Sequence, residues 1–219
     1  MTTVEKWVQS WRLFIWQIFQ NWDIANTKSD NTQLIDWNYY LQKGQEEQLE
    51  WVNILADIID NLYIWNTEAN ESARLLSSDM VISHRDLDPK NVMWNQDNPI
   101  IIDWESAGFV NPMYDLVDTA SYWAEDGVRG IDREKFFAFM NAYKDRRGNL
   151  QVDWKAVLKN GFSGKLGWLE YSLKRSLWIE CTDEEEQQMG TAQVTGTINA
   201  ISNYTNMTKE LENWLYAEI

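Results

Sequence analysis

For most of the chain, apolar residues recur at spacings of three and four, the period of amphipathic helices. Thr2 with Glu5 forms a capping-box pattern, and Trp7, Trp11, Phe14, Ile18 and Trp22 share one face of a first helix running to about Trp22. A second helix is expected over Thr32–Gln42, with Leu34, Trp37 and Leu41 together, and a third over Glu46–Ile64, marked by Leu49, Val52, Leu55, Ile59 and Leu62. The polar segment Asn66–Ser78 reads as a loop. Then the period changes. "MVIS", "NVMW" and "PIIID" are short runs of strand formers, and the "NQDN" between the last two has the turn chemistry of a hairpin. Helices resume after Asp103, over about Met113–Glu125, Asp132–Asp145, Trp154–Ile179 and Asp183–Tyr204, with a final piece from Thr208. The expected fold class is mostly α with a small β-hairpin at its centre.

Composition narrows the picture. The 219 residues suffice to bury a core, and 44% hydrophobic with 14% aromatic content excludes disorder over most of the length. Charged and amide residues interrupt the opening apolar runs, so that segment reads as neither a secretory signal nor a membrane span. A net charge of −15 excludes nucleic acid as a partner, because phosphate backbones require a basic footprint. It suits a small cationic molecule, or simply an acidic surface. The single cysteine, Cys181, forms no internal disulfide, which points to a reducing, cytoplasmic compartment.

The chemistry concentrates in "SHRDLDPKNVMW", which holds the only histidine, His84. His84-Arg85-Asp86-Leu87-Asp88-Pro89-Lys90-Asn91 matches the catalytic-loop pattern H-R-D-L-x-x-x-N, and the apolar run ending at Asp103 would return a second carboxylate beside it through the hairpin. Phosphoryl transfer needs such a set: a carboxylate to accept the proton of an attacking hydroxyl, and hard oxygens for Mg²⁺ beside the nucleotide phosphates. Asp86 is the candidate base, and Asn91 and Asp103 are the candidate metal ligands. Lys90 and Asp88 read as shaping the loop, either able to touch a phosphate or the substrate, with Lys90 the candidate for binding the nucleotide. His84 reads as a structural hydrogen-bonding residue, and Glu105 lies near the metal shell or caps a helix. Trp104 and Trp123 are near enough in sequence to wall a pocket.

The stretch from Ser83 to Asp118 resembles the aminoglycoside phosphotransferase and choline kinase family. Its pattern of H-x-D-x-x-x-x-N, an apolar strand, I-D-W/F-E-x-A, then a proline and a Tyr-Asp-Leu helix start appears here as Ile102-Asp103-Trp104-Glu105-Ser106-Ala107 and Pro112-Met113-Tyr114-Asp115-Leu116. The resemblance implies a kinase-like C-terminal lobe over residues 1–219: leading helices at 1–80, catalytic loop and hairpin at 81–104, and C-terminal helices at 105–219. It implies Mg²⁺ with ATP or GTP as donor, a small and cationic hydroxyl acceptor, His84, Arg85, Asp88 and Glu105 as supporting residues, and Asp115 as a brace of the loop. In the resembled family, acidic residues on C-terminal helices bind amines, which nominates Glu180, Asp183 and Glu184 as substrate contacts. For the run starting at Asp183, stabilisation of a helix N-terminus is the competing explanation. A protein kinase fits less well, since Asp103-Trp104-Glu105 replaces D-F-G and no A-P-E follows.

The same template has an upstream half that is not seen here. Before His84 stand one glycine, Gly44, and the lysines Lys6, Lys28 and Lys43, none of them in a V-A-I-K-like strand. The N-terminal lobe is therefore expected to be absent, with little phosphotransferase activity from this chain alone. The alternative is a catalytically incomplete lobe that serves as a binding module, or self-associates through surface left bare. "GFSGKLG" from Gly161 lacks phosphate-loop spacing and reads as a bend between helices.

Overall fold

The computed structural model describes residues 34–96, 98–125, 130–150 and 152–219, so the first expected helix lies outside the described residues. These residues are mostly helical, with two small antiparallel sheets. They form two compact units, one from 76–157 with 214–219, the other from 34–75 with 158–213.

The all-helical unit begins with α1 (Trp37–Glu46), whose N-cap Asp36 accepts from the Tyr39 amide at 3.1 Å. Helix α2 (Val52–Leu76) does not stop at Ile64 as expected. The polar stretch continues it because its small residues turn inward: Asn66, Ala69 and Ser72 are buried three apart, and Asn66 Oδ1 accepts from the Ile35 amide at 2.9 Å. Helices α5 (Trp154–Asn160) and α6 (Phe162–Ser176) replace the single expected helix over Trp154–Ile179. The break falls at Gly161, where the Tyr204 hydroxyl donates to Leu158 O at 2.6 Å and takes the space a Cβ would need. Helix α7 (Glu184–Glu218) is continuous where a break near Thr208 was expected. The hydroxyls of Thr197, Ser202 and Thr205 each turn back onto the carbonyl four residues earlier, so these polar residues are accommodated within the helix.

The core of this unit joins Leu55, Leu62 and Ala69 of α2 to Phe162, Leu166, Leu169 and Leu173 of α6 and to Val194, Ile198 and Ile201 of α7. Each set keeps helical spacing, so each helix contributes one apolar stripe, and burying such a side chain is worth about 1.5–3 kcal/mol.

The second unit holds the loop. Strand β1 (Val81–Ser83) pairs antiparallel with β4 (Gly108–Val110), a partner not expected from the sequence, in the register Val81↔Val110 and Ser83↔Gly108. Strands β2 (Val92–Asn95) and β3 (Asn98–Ile101) form the expected hairpin, with Val92 opposite Ile101. Helix α3 (Pro112–Ala124) starts on Asn111, whose Oδ1 accepts from the amides of Met113 and Tyr114 at 3.0 and 3.2 Å. The same side chain donates to Leu76 O and Asp79 O, tying the end of α2 to the start of α3. Helix α4 (Arg133–Arg147), capped by Asp132, packs on α3, with Phe139 beside the Trp123 ring, and buries Phe136, Phe137 and Met140. No helix among the described residues is long and apolar enough to cross a membrane.

Candidate active site

Strand β1 leads into the loop, and the loop's backbone is shaped by its own side chains. Asp88 caps a single 3₁₀ turn over Pro89–Asn91, its Oδ1 accepting from the Lys90 amide at 2.9 Å. Proline at the first position of that turn has no amide to satisfy. The turn delivers Asn91, 3% exposed, against Asp86: its Nδ2 donates to Asp86 O at 2.7 Å and to Asp86 Oδ2 at 2.9 Å. Both partners are acceptors, so the amide nitrogen must face them, and Asn91 Oδ1 is turned the other way. Lys90 is exposed and spans the two carboxylates, 3.6 Å from Asp88 Oδ2 and 4.0 Å from Asp86 Oδ2. Such exposed pairs contribute little stability but offset local negative charge.

The hairpin returns the chain to the loop. Beyond the Val92–Ile101 pair, the Ile102 amide donates to Asn91 O at 3.0 Å, which puts Asp103 one residue past a direct bond to the loop. Asp103 adopts a left-handed conformation (φ 62°, ψ 64°), tolerated by aspartate better than by most side chains, and a second 3₁₀ turn, Trp104–Ser106, follows. Glu105 is exposed in that turn.

His84 and Asp115 support the loop from beneath. His84 is 1% exposed; its Nε2 carries the hydrogen and donates to Ile102 O at 2.8 Å, while its edge meets the Trp104 ring at 4.7 Å. One imidazole thus joins the start of the loop to the residue before Asp103. Asp115, in the first turn of α3, accepts from the Ser83 hydroxyl at 2.6 Å, and burial pushes its carboxyl up to about 6, against the pull of the Ser83 bond. Arg85 also has positive φ, 66°, and its Nη1 would lie 2.8 Å from a Cβ on residue 108, so a side chain there would displace the end of the Arg85 side chain. Trp123 donates its indole N–H to Leu87 O at 2.8 Å, fixing the loop between Asp86 and Asp88. Tyr122 is 40% exposed, and partial burial, with Asp118 and Asp86 nearby, raises its phenol.

The remaining candidates belong to the helical unit. Glu180 pairs with Lys174 at 3.1 Å, and that carboxylate contributes to holding the ammonium above its ordinary value despite burial. Asp183 Oδ1 accepts from the Glu186 amide, and Glu184 Oε1 from Gln188. The clamping role of Trp123 and the Ser83–Asp115 bond were not anticipated. Asp115 itself was expected as a brace of the loop from the Tyr-Asp-Leu match, and the Ser directly before the H-R-D pattern was the signal for its partner.

The family model for phosphotransferase enzymes matches residues 6–148, more than half of the chain, including the loop, the hairpin, α3 and α4. The chain belongs to the phosphotransferase enzyme family. No curated protein and no solved structure matches it. For a phosphotransferase, the donor chemistry of the loop fits magnesium. Magnesium takes hard oxygen donors, and the Asn91 amide oxygen and the Asp103 carboxylate are donors of that kind. That set favours an ion that keeps several waters.

Proposed function

We propose that this phosphotransferase is the C-terminal lobe of an enzyme that moves the γ-phosphoryl group of ATP or GTP to a hydroxyl of a small cationic molecule. The observation that carries the proposal is the Asn91 side chain, whose Nδ2 is held by Asp86 O and Oδ2, so that its amide oxygen is left for another partner. On this reading Asp86 accepts the acceptor's hydroxyl proton through the carboxylate oxygen that Asn91 does not engage. Asn91 and Asp103 hold Mg²⁺, which when bound would neutralise charge on the donor phosphates. Lys90 reaches a phosphate oxygen, and Trp123, His84 and Asp115 keep the loop rigid, so little reorganisation is needed at the moment of transfer.

The acidic chain, net −15, supports a cationic acceptor rather than a nucleic-acid partner, and the single cysteine supports a cytoplasmic setting. Glu180, Asp183 and Glu184 are proposed to meet its amines, which would then compete with their present partners. Magnesium and nucleotide titration of the full chain beside Asp103→Ala tests the assignment. The variant should lose magnesium affinity, and equal binding by both proteins would remove Asp103 from the site.

A second reading rests on the outer pair of the hairpin. Met93 and Ile100 face one another across β2 and β3 and are 57% and 47% exposed, an apolar surface suited to a partner. The chain would then be a binding module, and magnesium binding without detectable transfer would favour it.

A further inference from the structure

Arg175 lies on α6 with only 8% of its surface exposed, and its Nε–H is buried without an acceptor. Among the described residues no carboxylate pairs with it. Its side chain meets two soft partners: the Tyr171 ring, 5.3 Å from the guanidinium carbon, and the Met189 sulfur, 4.0 Å from Nη1. The stem is pinned, since α7 passes so close that a Cβ on Gly190 would fall 2.6 Å from Arg175 Cβ. A guanidinium held this way is expensive, because neither a ring face nor a thioether replaces the water it has lost. A methionine or leucine would fill the same volume without that cost.

The surroundings indicate what would satisfy it. Trp168, Tyr171 and Arg175 share one face of α6, and the two rings touch at 5.4 Å between centroids. Trp168, Tyr171 and Met189 are 48%, 38% and 47% exposed, so the recessed cation is bordered by an apolar rim that faces solvent. Met189 engages Nη1, whereas the edge formed by Nε and Nη2 is the one that accepts a carboxylate side-on through two parallel bonds. The thioether is unbranched and half-exposed, which makes it the movable wall of the site.

We infer that Arg175, Tyr171, Trp168 and Met189 form a binding site for a carboxylate carried on a flat apolar body, such as an aromatic acid. The carboxylate takes the Nε–Nη2 edge, and the flat body lies on the Trp168 and Tyr171 rings as Met189 swings aside. None of these residues takes part in the proposed phosphoryl transfer, so the site stands or falls independently of it.

The test uses the full chain with benzoate as probe and benzamide as its neutral counterpart, followed by NMR at the Arg175 Nε–Hε resonance, assigned through Arg175→Lys. Benzoate should shift that resonance saturably, and benzamide should bind at least about tenfold more weakly because it lacks the charge-assisted pair. Arg175→Met should unfold at a higher temperature than the wild type and lose the thermal shift that benzoate produces. Three results would overturn the inference: an Arg175 resonance unmoved at concentrations that saturate a millimolar site, equal responses to benzoate and benzamide, or an undiminished benzoate shift in Arg175→Met.

Discussion

Asp115→Asn is the substitution whose outcome the structure determines most directly. The buried Asp115 carboxyl titrates at about 6 in the folded chain rather than near 3.8, because burial disfavours its charged form more than the Ser83 bond favours it. The direction of the linkage follows from that. Below about 3.8 the folded and unfolded states both hold the proton, and the site's contribution to stability is fully present; it is lost as pH rises through about 6. At 1.36 kcal/mol per unit of pKa, ionising Asp115 in place costs about 3 kcal/mol, of which about 2 kcal/mol falls between pH 4.5 and 8. Asparagine keeps an oxygen for the Ser83 hydroxyl and has no charge to bury. Urea unfolding of wild type and Asp115→Asn at pH 4.5, 6 and 8 should therefore show the variant gaining about 2 kcal/mol relative to wild type across that range. Alanine is the control, because it leaves the Ser83 hydroxyl without its acceptor and should cost about 1–3 kcal/mol at every pH. A variant that loses ground to wild type as pH rises would refute the reasoning. It would mean that Arg85, His84 and the start of α3 stabilise the anion more than burial penalises it.

Further outcomes follow from packing and caps. Gly161→Ala places a methyl against the Tyr204 hydroxyl and should destabilise the chain by about 1–3 kcal/mol, with Tyr204→Phe partly relieving the clash in a double variant; denaturant midpoints would show both effects. Asn111→Ala removes the cap of α3 and leaves Leu76 O and Asp79 O short of a donor, for a loss of about 2–4 kcal/mol by urea unfolding. Leu169→Ala, at the fully buried centre of the helical core, should cost about 2–5 kcal/mol and lower the thermal midpoint.

The hairpin and its loop were legible because their signals are local. Turn residues separate two runs of strand formers, and the loop carries its own capping aspartate and proline. Helices α3 and α4 were placed within a residue or two for the same reason, since asparagine and aspartate caps sit directly before them. Other features depend on distant groups and left no local trace. Strand β4 is three residues long and exists because β1, more than twenty positions earlier, offers it a ladder. The polar end of α2 looks like a loop until Ile35 supplies the donor that Asn66 accepts. At the candidate site, Asp86, Asn91 and Asp103 were nominated by pattern. The tethers that hold the neighbouring backbone, from Trp123 to Leu87 O and from His84 to Ile102 O, join residues 36 and 18 positions apart and could not be inferred from spacing.

Both compact units are discontinuous in the chain: 34–75 must wait for 158–213, and 76–157 is joined by 214–219. A ribosome emits residues in order, so neither half can reach its native packing until the segments 158–213 and 214–219 have emerged. Leu55 and Leu62 remain without their α6 and α7 neighbours throughout the synthesis of the segment that carries the loop. Nascent chains should accordingly resist protease only once residues 158–219 have emerged, and they would lean on chaperones for longer than a protein built from consecutive modules.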